Sequence, residues 1–340
     1  MDICKLCNSN NTKLIKVKEK FHGTFDEFNY IQCLACKSLI IKEIPKNLSN
    51  YYPSNYYSFK DINPSTTKIR WTLVNSLKEW TRKKYWQYII SKKPFNIIGF
   101  LIAIFKKQPE NHLLKILGKA KLHSNSKVFD IGCGGGDLLK KLYGFGYSNV
   151  FGLDPNIQDS VYINKTKLVI KSDLIEYCEK TNKRYDLIMF NHSFEHIFNP
   201  DEVLVSIKKL SHEETFFIIR VPLADSYAFE HYKENWVQLD APRHLYLFSK
   251  ESMLSLLKKH GFETLEVIYD SKELQFLGSE QYKRDIPLIS ENSYATSLEN
   301  SIFTIQDVNA FKAKAIQLNS EEKGDMAAFI FKIKSSKCKL

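Results

Sequence analysis

Residues 128–139 read VFDIGCGGGDLL: an apolar run that ends on an acid, four glycines within five positions, then an apolar stretch compatible with a helix. Glycines between a strand and a helix let a ligand approach the backbone closely, at a helix N-terminus whose dipole favours negative charge. The dinucleotide spacing G-x-G-x-x-G is met at Gly132 and Gly134 but fails at its last position, which is Asp137. The Lys-Ser/Thr ending of a phosphate-binding loop is missing as well. The turn is therefore expected to take a ligand that needs a close backbone but no phosphate cradle.

From Lys127 onward, short apolar runs alternate with amphipathic ones: KVFDI then DLLKKLYG, NVFGLD, KLVI then DLIEYCEK, YDLIMF then PDEVLVSIKKL, TFFIIRV, and SKESMLSLLKKHG. This alternation predicts an α/β fold with a doubly wound parallel sheet, whose ligands sit outside the carboxyl ends of the strands. Those ends carry Asp130, then Asp154 in GLDP, Asp173 in KSDL, and Asn191 opening NHSFEH. An acid after the second strand suits a ribose diol, one after the third suits an exocyclic adenine amine, and Asp130 suits a cationic or amino-acid head. Together they describe a nucleoside with a zwitterionic tail and no phosphate, which is S-adenosylmethionine. On these motifs, residues 127–269 with a closing strand near 325–332 resemble the class I S-adenosylmethionine-dependent methyltransferases. The resemblance implies a Rossmann-like sheet of seven strands. It further implies a methionine moiety over Gly132, Gly134 and Gly136 with Asp130 nearby, ribose on Asp154, adenine beside Asp173, and Asn191 in the cofactor-binding set.

Two C-x-x-C pairs, Cys4/Cys7 in CKLC and Cys33/Cys36 in CLAC, stand 25 residues apart. Four converging thiolates satisfy tetrahedral zinc and leave no open position for catalysis, so a structural ion is expected. The pattern resembles a zinc ribbon, and the whole chain resembles the zinc-ribbon methyltransferases of bacterial surface-sugar and secondary-metabolite pathways. The glycine usual after each knuckle is replaced by Asn8 and Lys37.

After the fourth strand comes FNHSFEHIFNP, and further on APRHLYLFSKES. If a helical turn starts at His192, then Glu195 and His196 share its face. With His244 these resemble the E-x-x-E-H plus His arrangement of magnesium-assisted ubiquinone-pathway and small-RNA 2′-O-methyltransferases, with His192 in place of the first Glu. Three uses stay open: a second divalent metal on His192, Glu195, His196 and His244; a histidine as general base or substrate-orienting group; or structural hydrogen bonding. Neither N-P-P-Tyr/Phe nor Pro-Cys follows strand four, which leaves a hydroxyl acceptor with a histidine base as the simplest chemistry. The expected function is methyl transfer to a hydroxyl of a sugar or other small molecule. The rivals are an RNA or DNA methyltransferase and a binding subunit without catalysis.

Three segments are expected: a ribbon over 1–45, a tyrosine-rich loop and basic helical lid over 46–121, and the methyltransferase domain over 122–340 with an insertion at about 271–323. Of the chain's 49 Lys and Arg and 38 acids, 14 and three fall between Lys60 and Lys121, so the net charge of +11 resides there. An anionic partner is expected to meet this segment, and KKPFNIIGFLIAIFKKQ at its centre suits an anionic membrane surface, with nucleic acid the weaker candidate. The alternative is a lid with a buried apolar run. The aromatics of NYYSF and around Trp236 serve either packing or sugar stacking. With a polar, cysteine-bearing start and unpaired Cys133, Cys178 and Cys338, cytoplasmic residence is expected.

Overall fold

The computed structural model describes residues 2–52, 73–91, 97–105, 112–157, 159–163 and 166–334. In chain order they form β1 (Thr12–Lys18), β2 (Glu27–Cys33), β3 (Leu39–Ile41), α1 (Leu73–Ser91), α2 (Ile97–Phe105), α3 (His112–Leu117), β4 (Val128–Ile131), α4 (Asp137–Gly144), β5 (Val150–Leu153) and β6 (Val161–Ile163). There follow β7 (Thr166–Ile170), α5 (Leu174–Lys180), β8 (Leu187–Asn191), α6 (Pro200–Lys209), β9 (Phe216–Pro222) and α7 (Tyr227–Tyr232). The chain ends with β10 (Tyr246–Leu247), α8 (Lys250–Lys259), β11 (Phe262–Tyr269), α9 (Leu274–Tyr282), α10 (Ile305–Ser320) and β12 (Met326–Ile333).

Eight strands form one sheet in the order β11-β12-β9-β8-β4-β5-β7-β6. β4 runs parallel to β5 and β8, and β5 to β7. From β4 the chain runs outward through β5 and β7 on one side and through β8 and β9 on the other, the doubly wound pattern, with its ligand-binding turns at the carboxyl ends of the strands around β4. The seven strands expected are joined by an eighth, because Val161–Ile163 returns antiparallel on β7.

By internal contacts one unit comprises residues 1–53, 192–202 and 219–330, and the other 54–191, 203–218 and 331–340. The boundaries expected at 45 and 121 do not coincide with this division. In the second unit, VFDI of β4 is buried at every position, as befits a parallel strand covered on both faces. Phe129 stacks on Tyr185 with ring centroids 4.5 Å apart. Leu139 and Leu142 of α4 are also buried. Helices α1 to α3 belong to this unit; NYYSF and Trp71 lie outside the described residues.

In the first unit, β1, β2 and β3 form an antiparallel ribbon that continues onto β10, with Tyr246 opposite Ile40 and Leu247 opposite Leu39. The ribbon is thus not closed at residue 45. Ser249 Oγ donates to the Cys36 carbonyl at 2.5 Å while capping α8, and Ser38 Oγ meets Ser252 Oγ at 2.8 Å. Arg243, fully buried, donates to Asp240 and to the Tyr51 carbonyl and lies over the Phe21 ring at 4.2 Å. Trp236 is buried with its indole N–H donating to Asp325 at 3.0 Å, so of its two expected uses it serves packing. Between β11 and β12, α9 and α10 stack Phe276 on Phe311.

Gly136 starts α4 at φ +77°, and a Cβ there would lie 2.6 Å from Cγ2 of Val169. Gly136→Ala should therefore lower stability by about 1–3 kcal/mol, from the left-handed conformation and overpacking together. Denaturant unfolding checks this, and an unchanged midpoint would contradict it.

Candidate functional site

The glycine turn is shaped by an acid. Gly132, Gly134 and Gly136 all have positive φ, which frees the backbone of side chains where a ligand would approach. Asp154, buried at the end of β5, accepts from Gly134 N through Oδ2 and from Asn156 N through Oδ1, each at 2.8 Å. Burial raises its pKa, and these backbone donors act against that rise. Asp130 is 3% exposed, and its Oδ1 has no hydrogen-bond partner among the described residues. Burial, with Asp154 beside it, pushes the Asp130 carboxyl well above the usual range. An orphaned buried oxygen costs about 1–3 kcal/mol, and an ammonium group would offset that cost. The residues present thus fit the amino-acid end of S-adenosylmethionine. Asp173 is exposed and caps α5, accepting from Ile175 N at 2.8 Å and Glu176 N at 3.4 Å. Asn191 ends β8, half-buried.

The residues after β8 do not form the helical turn that would align His192, Glu195 and His196. His192 sits at φ +57°, and only a 3-10 turn follows, Phe194–His196. His192 therefore stays beside Glu195 but outside the set in which Glu195 meets His196 and His244. Its Nε2 accepts from Arg220 Nη1, whose Nε donates to both oxygens of Asp270 at 3.0 and 2.8 Å. Since a guanidinium only donates, His192 is neutral with its proton on Nδ1, 3.7 Å from Glu195 Oε1. Burial and then Arg220 hold its pKa well below the ordinary value. The nitrogen that would serve as base or metal ligand is thus already taken.

Glu195, His196 and His244 do converge, with one ligand atom from each lying within 4.8 Å of the others. His196 donates from Nδ1 to the Arg243 carbonyl at 2.8 Å, with the Tyr52 hydroxyl 3.1 Å from the same nitrogen. His244 donates from Nδ1 to the Gln238 carbonyl at 2.7 Å. Each carbonyl fixes a tautomer in which Nε2 carries the lone pair. His244 Nε2 lies 3.6 Å from Asp240 Oδ2 and 3.9 Å from Glu195 Oε1. Burial lowers both imidazoles, His196 to about 3 with His244 contributing. Glu195 is fully buried, neither oxygen has a hydrogen-bond partner among the described residues, and burial raises it to about 8. Asp240 differs: Arg243 overrides the effect of burial and holds it at about 2.

Cys4, Cys7, Cys33 and Cys36 also converge. Cys4 Sγ lies 3.7 Å from Cys36 Sγ, and Cys7 Sγ 3.5 Å from Cys33 Sγ, near the edge of about 3.8 Å in a tetrahedron of zinc–sulfur bonds of about 2.3 Å. Asn8 and Lys37, where glycine is usual, both adopt the left-handed conformation, at φ 59° and 61°. The set fits zinc.

Sequence reasoning missed Arg220 and Asp270. A lone cation inside FFIIRVP was the available signal, because a charge buried in a strand requires a partner. Asp173 followed by Glu176 was the signal for a helix cap.

Residues 105–267 match the family model described as a methyltransferase domain. The match covers just under half of the chain and supports a SAM-dependent methyltransferase. In sequence the chain is similar to a ubiquinone biosynthesis O-methyltransferase of Glaesserella parasuis serovar 5, 26% identical over 148 residues, 40% of this chain. The chain spans 58% of that relative's length. Among solved structures, a SAM-dependent methyltransferase from Archaeoglobus fulgidus aligns at 21% identity and a TM-score of 0.40, covering 61% of this chain and 86% of that one. The O-methyltransferase of a trans-AT PKS multienzyme of Brevibacillus brevis, in complex with S-adenosyl-L-homocysteine, aligns at 14% identity and a TM-score of 0.38, covering 76% of each chain.

The buried Glu195 makes stability depend on pH. Its folded pKa of about 8 lies above the ordinary value of 4.5, so its contribution is complete below 4.5 and is lost as pH rises from there through 8. In chelator-treated protein, thermal stability should therefore fall between about pH 4.5 and 8, and Glu195→Gln should flatten that limb. Parallel profiles for the two proteins would contradict the assignment.

Proposed function

We propose that this chain transfers the methyl group of S-adenosylmethionine to a hydroxyl oxygen of a sugar or another small molecule. The observation that carries the reading is Asp130, a buried carboxyl with an unpartnered oxygen at the foot of a glycine turn. In this reading Asp130 holds the donor's ammonium, and the backbone of Gly132, Gly134 and Gly136 packs against its methionine moiety. Asp154 takes the ribose hydroxyls on the lone pairs its backbone donors leave, while Asp173 and Asn191 border the adenine. S-adenosylmethionine supplies an electrophilic methyl on a positively charged sulfur. The chain's part is to orient the acceptor in line with it and to remove the acceptor's proton.

The hydroxyl acceptor is supported by two neutral imidazoles whose Nε2 lone pairs are set by carbonyl partners on Nδ1. The O-methyltransferase name of the ubiquinone-pathway relative points the same way. His244 is the assigned base and His196 its neighbour, with ring centroids 4.8 Å apart. A second reading places a divalent cation on Glu195, His196 and His244. What favours it is the pair of unpartnered oxygens on Glu195 beside imidazoles held by backbone carbonyls, the usual support of metal-bound histidine. One carboxylate with two imidazoles favours an ion softer than magnesium.

Labelled S-adenosylmethionine supplied with fractionated metabolites and nucleic acids tests the acceptor class, and label confined to nucleic acid would overturn the reading. On the acceptor so found, His244→Ala should lower the rate about 10²- to 10⁴-fold with donor affinity retained. Full activity would return the cluster to a structural role. Chelation leaves turnover intact if His244 is the base, whereas loss restored by a divalent ion supports the second reading.

A single structural zinc in the ribbon completes the proposal. One zinc per chain should copurify, and Cys33→Ser should release it. Because β3 pairs with β10 and the Cys36 carbonyl accepts from Ser249, hydrogen-exchange protection should then fall at residues 244–252 as well as in the ribbon. Absence of zinc from freshly purified, reduced protein would refute it.

A further inference from the structure

Helix α2 reads IIGFLIAIF, yet most of it is bare. Ile97, Ile98, Phe100, Leu101, Ile104 and Phe105 are 63, 47, 47, 45, 58 and 83% exposed. At about 100° per residue these six positions share an arc of about 160°. Gly99 is buried and lies on the opposite side, where the helix packs on α1, and Phe100 at the margin of the arc meets Tyr88 edge-on at 5.9 Å. A helix whose small residue faces inward while its large apolar residues face outward has the reverse of the orientation that burial favours. A contiguous apolar patch of this kind marks an interaction surface.

Charge identifies the occupant. In sequence the helix is bracketed by Lys92 and Lys93 before it and Lys106 and Lys107 after it, and it lies in the segment from Lys60 to Lys121 that carries 14 basic and three acidic residues. A second copy docking here would bring two such segments together, which like charges oppose. A nucleic acid has no use for an aliphatic face. Nine residues span about 13 Å, against roughly 30 Å of bilayer hydrocarbon, and no helix among the described residues is long and apolar enough to cross a membrane. We infer that α2 lies in the plane of an anionic lipid bilayer with its apolar arc at the acyl boundary, a surface that the positive charge flanking the helix in sequence favours.

Co-sedimentation of the full chain tests this, with vesicles of phosphatidylcholine alone or with one third phosphatidylglycerol. Binding should favour the anionic vesicles at least tenfold and fall as salt rises from 0.1 to 0.5 M. The double variant Ile104→Asp with Phe105→Asp, at exposed positions, should lose at least tenfold of that binding while keeping wild-type S-adenosylmethionine affinity and circular dichroism. Lys106→Glu with Lys107→Glu should weaken binding and its salt dependence together. Equal binding to both vesicle types, or by the aspartate variant, would overturn the inference. So would a concentration-dependent dimer that the aspartate variant dissociates, which assigns the face to a second copy.

Discussion

The donor site rests on one interaction: the Asp154 carboxylate receiving the N–H of Gly134. A turn of three positive-φ glycines has no side chains to define it, and glycine gives up more freedom on folding than any other residue. A buried anion at the end of β5 supplies what the glycines lack. It also occupies one backbone donor of the turn, the N–H of Gly134. Asp130, one strand away, receives no such donor. The two acids sit at adjacent strand ends in similar burial, one paired and one not, and the proposed assignment of the ammonium to Asp130 rests on that asymmetry.

A similar division runs through the histidines. His192 accepts from a cation that Asp270 holds in place, so it is oriented and unavailable. His196 and His244 donate to carbonyls and keep a lone pair for other work. The ribbon bears on the second of these directly, for the Tyr30 hydroxyl donates to the His244 carbonyl at 2.8 Å. The ribbon thus pairs with β10 and bonds the backbone at His244, so the proposed zinc would act on the proposed base through structure alone, without chemistry of its own.

Much of this was legible in the sequence for definite reasons. A parallel strand buried on both faces is largely apolar, so VFDI and LIMF identified themselves, and Asp130 stood out as the one acid inside the first. Two C-x-x-C pairs have few uses other than metal. What stayed hidden depended on long-range or unusual backbone. β10 is two residues long, too short for any periodicity to reveal its pairing with β3. The left-handed His192 defeated the helical spacing that seemed to align it with Glu195 and His196, because that conformation is rare outside glycine and asparagine. The capping of the orphan N–H groups of α5 by Asp173 also went unread. The basic apolar segment left two readings open from sequence, a lid or a surface, and the exposure of α2 is the observation from which the surface reading is proposed.

The central claim is that a buried, unpaired Asp130 awaits the ammonium of S-adenosylmethionine, and ligand affinity tests it most directly. Titration calorimetry of the full chain should show a single site for S-adenosylmethionine. Asp130→Asn should weaken that binding at least tenfold, and should weaken binding of an analogue lacking the amino group far less. Absence of binding, or an asparagine variant that binds S-adenosylmethionine as tightly as the wild type, would contradict the account.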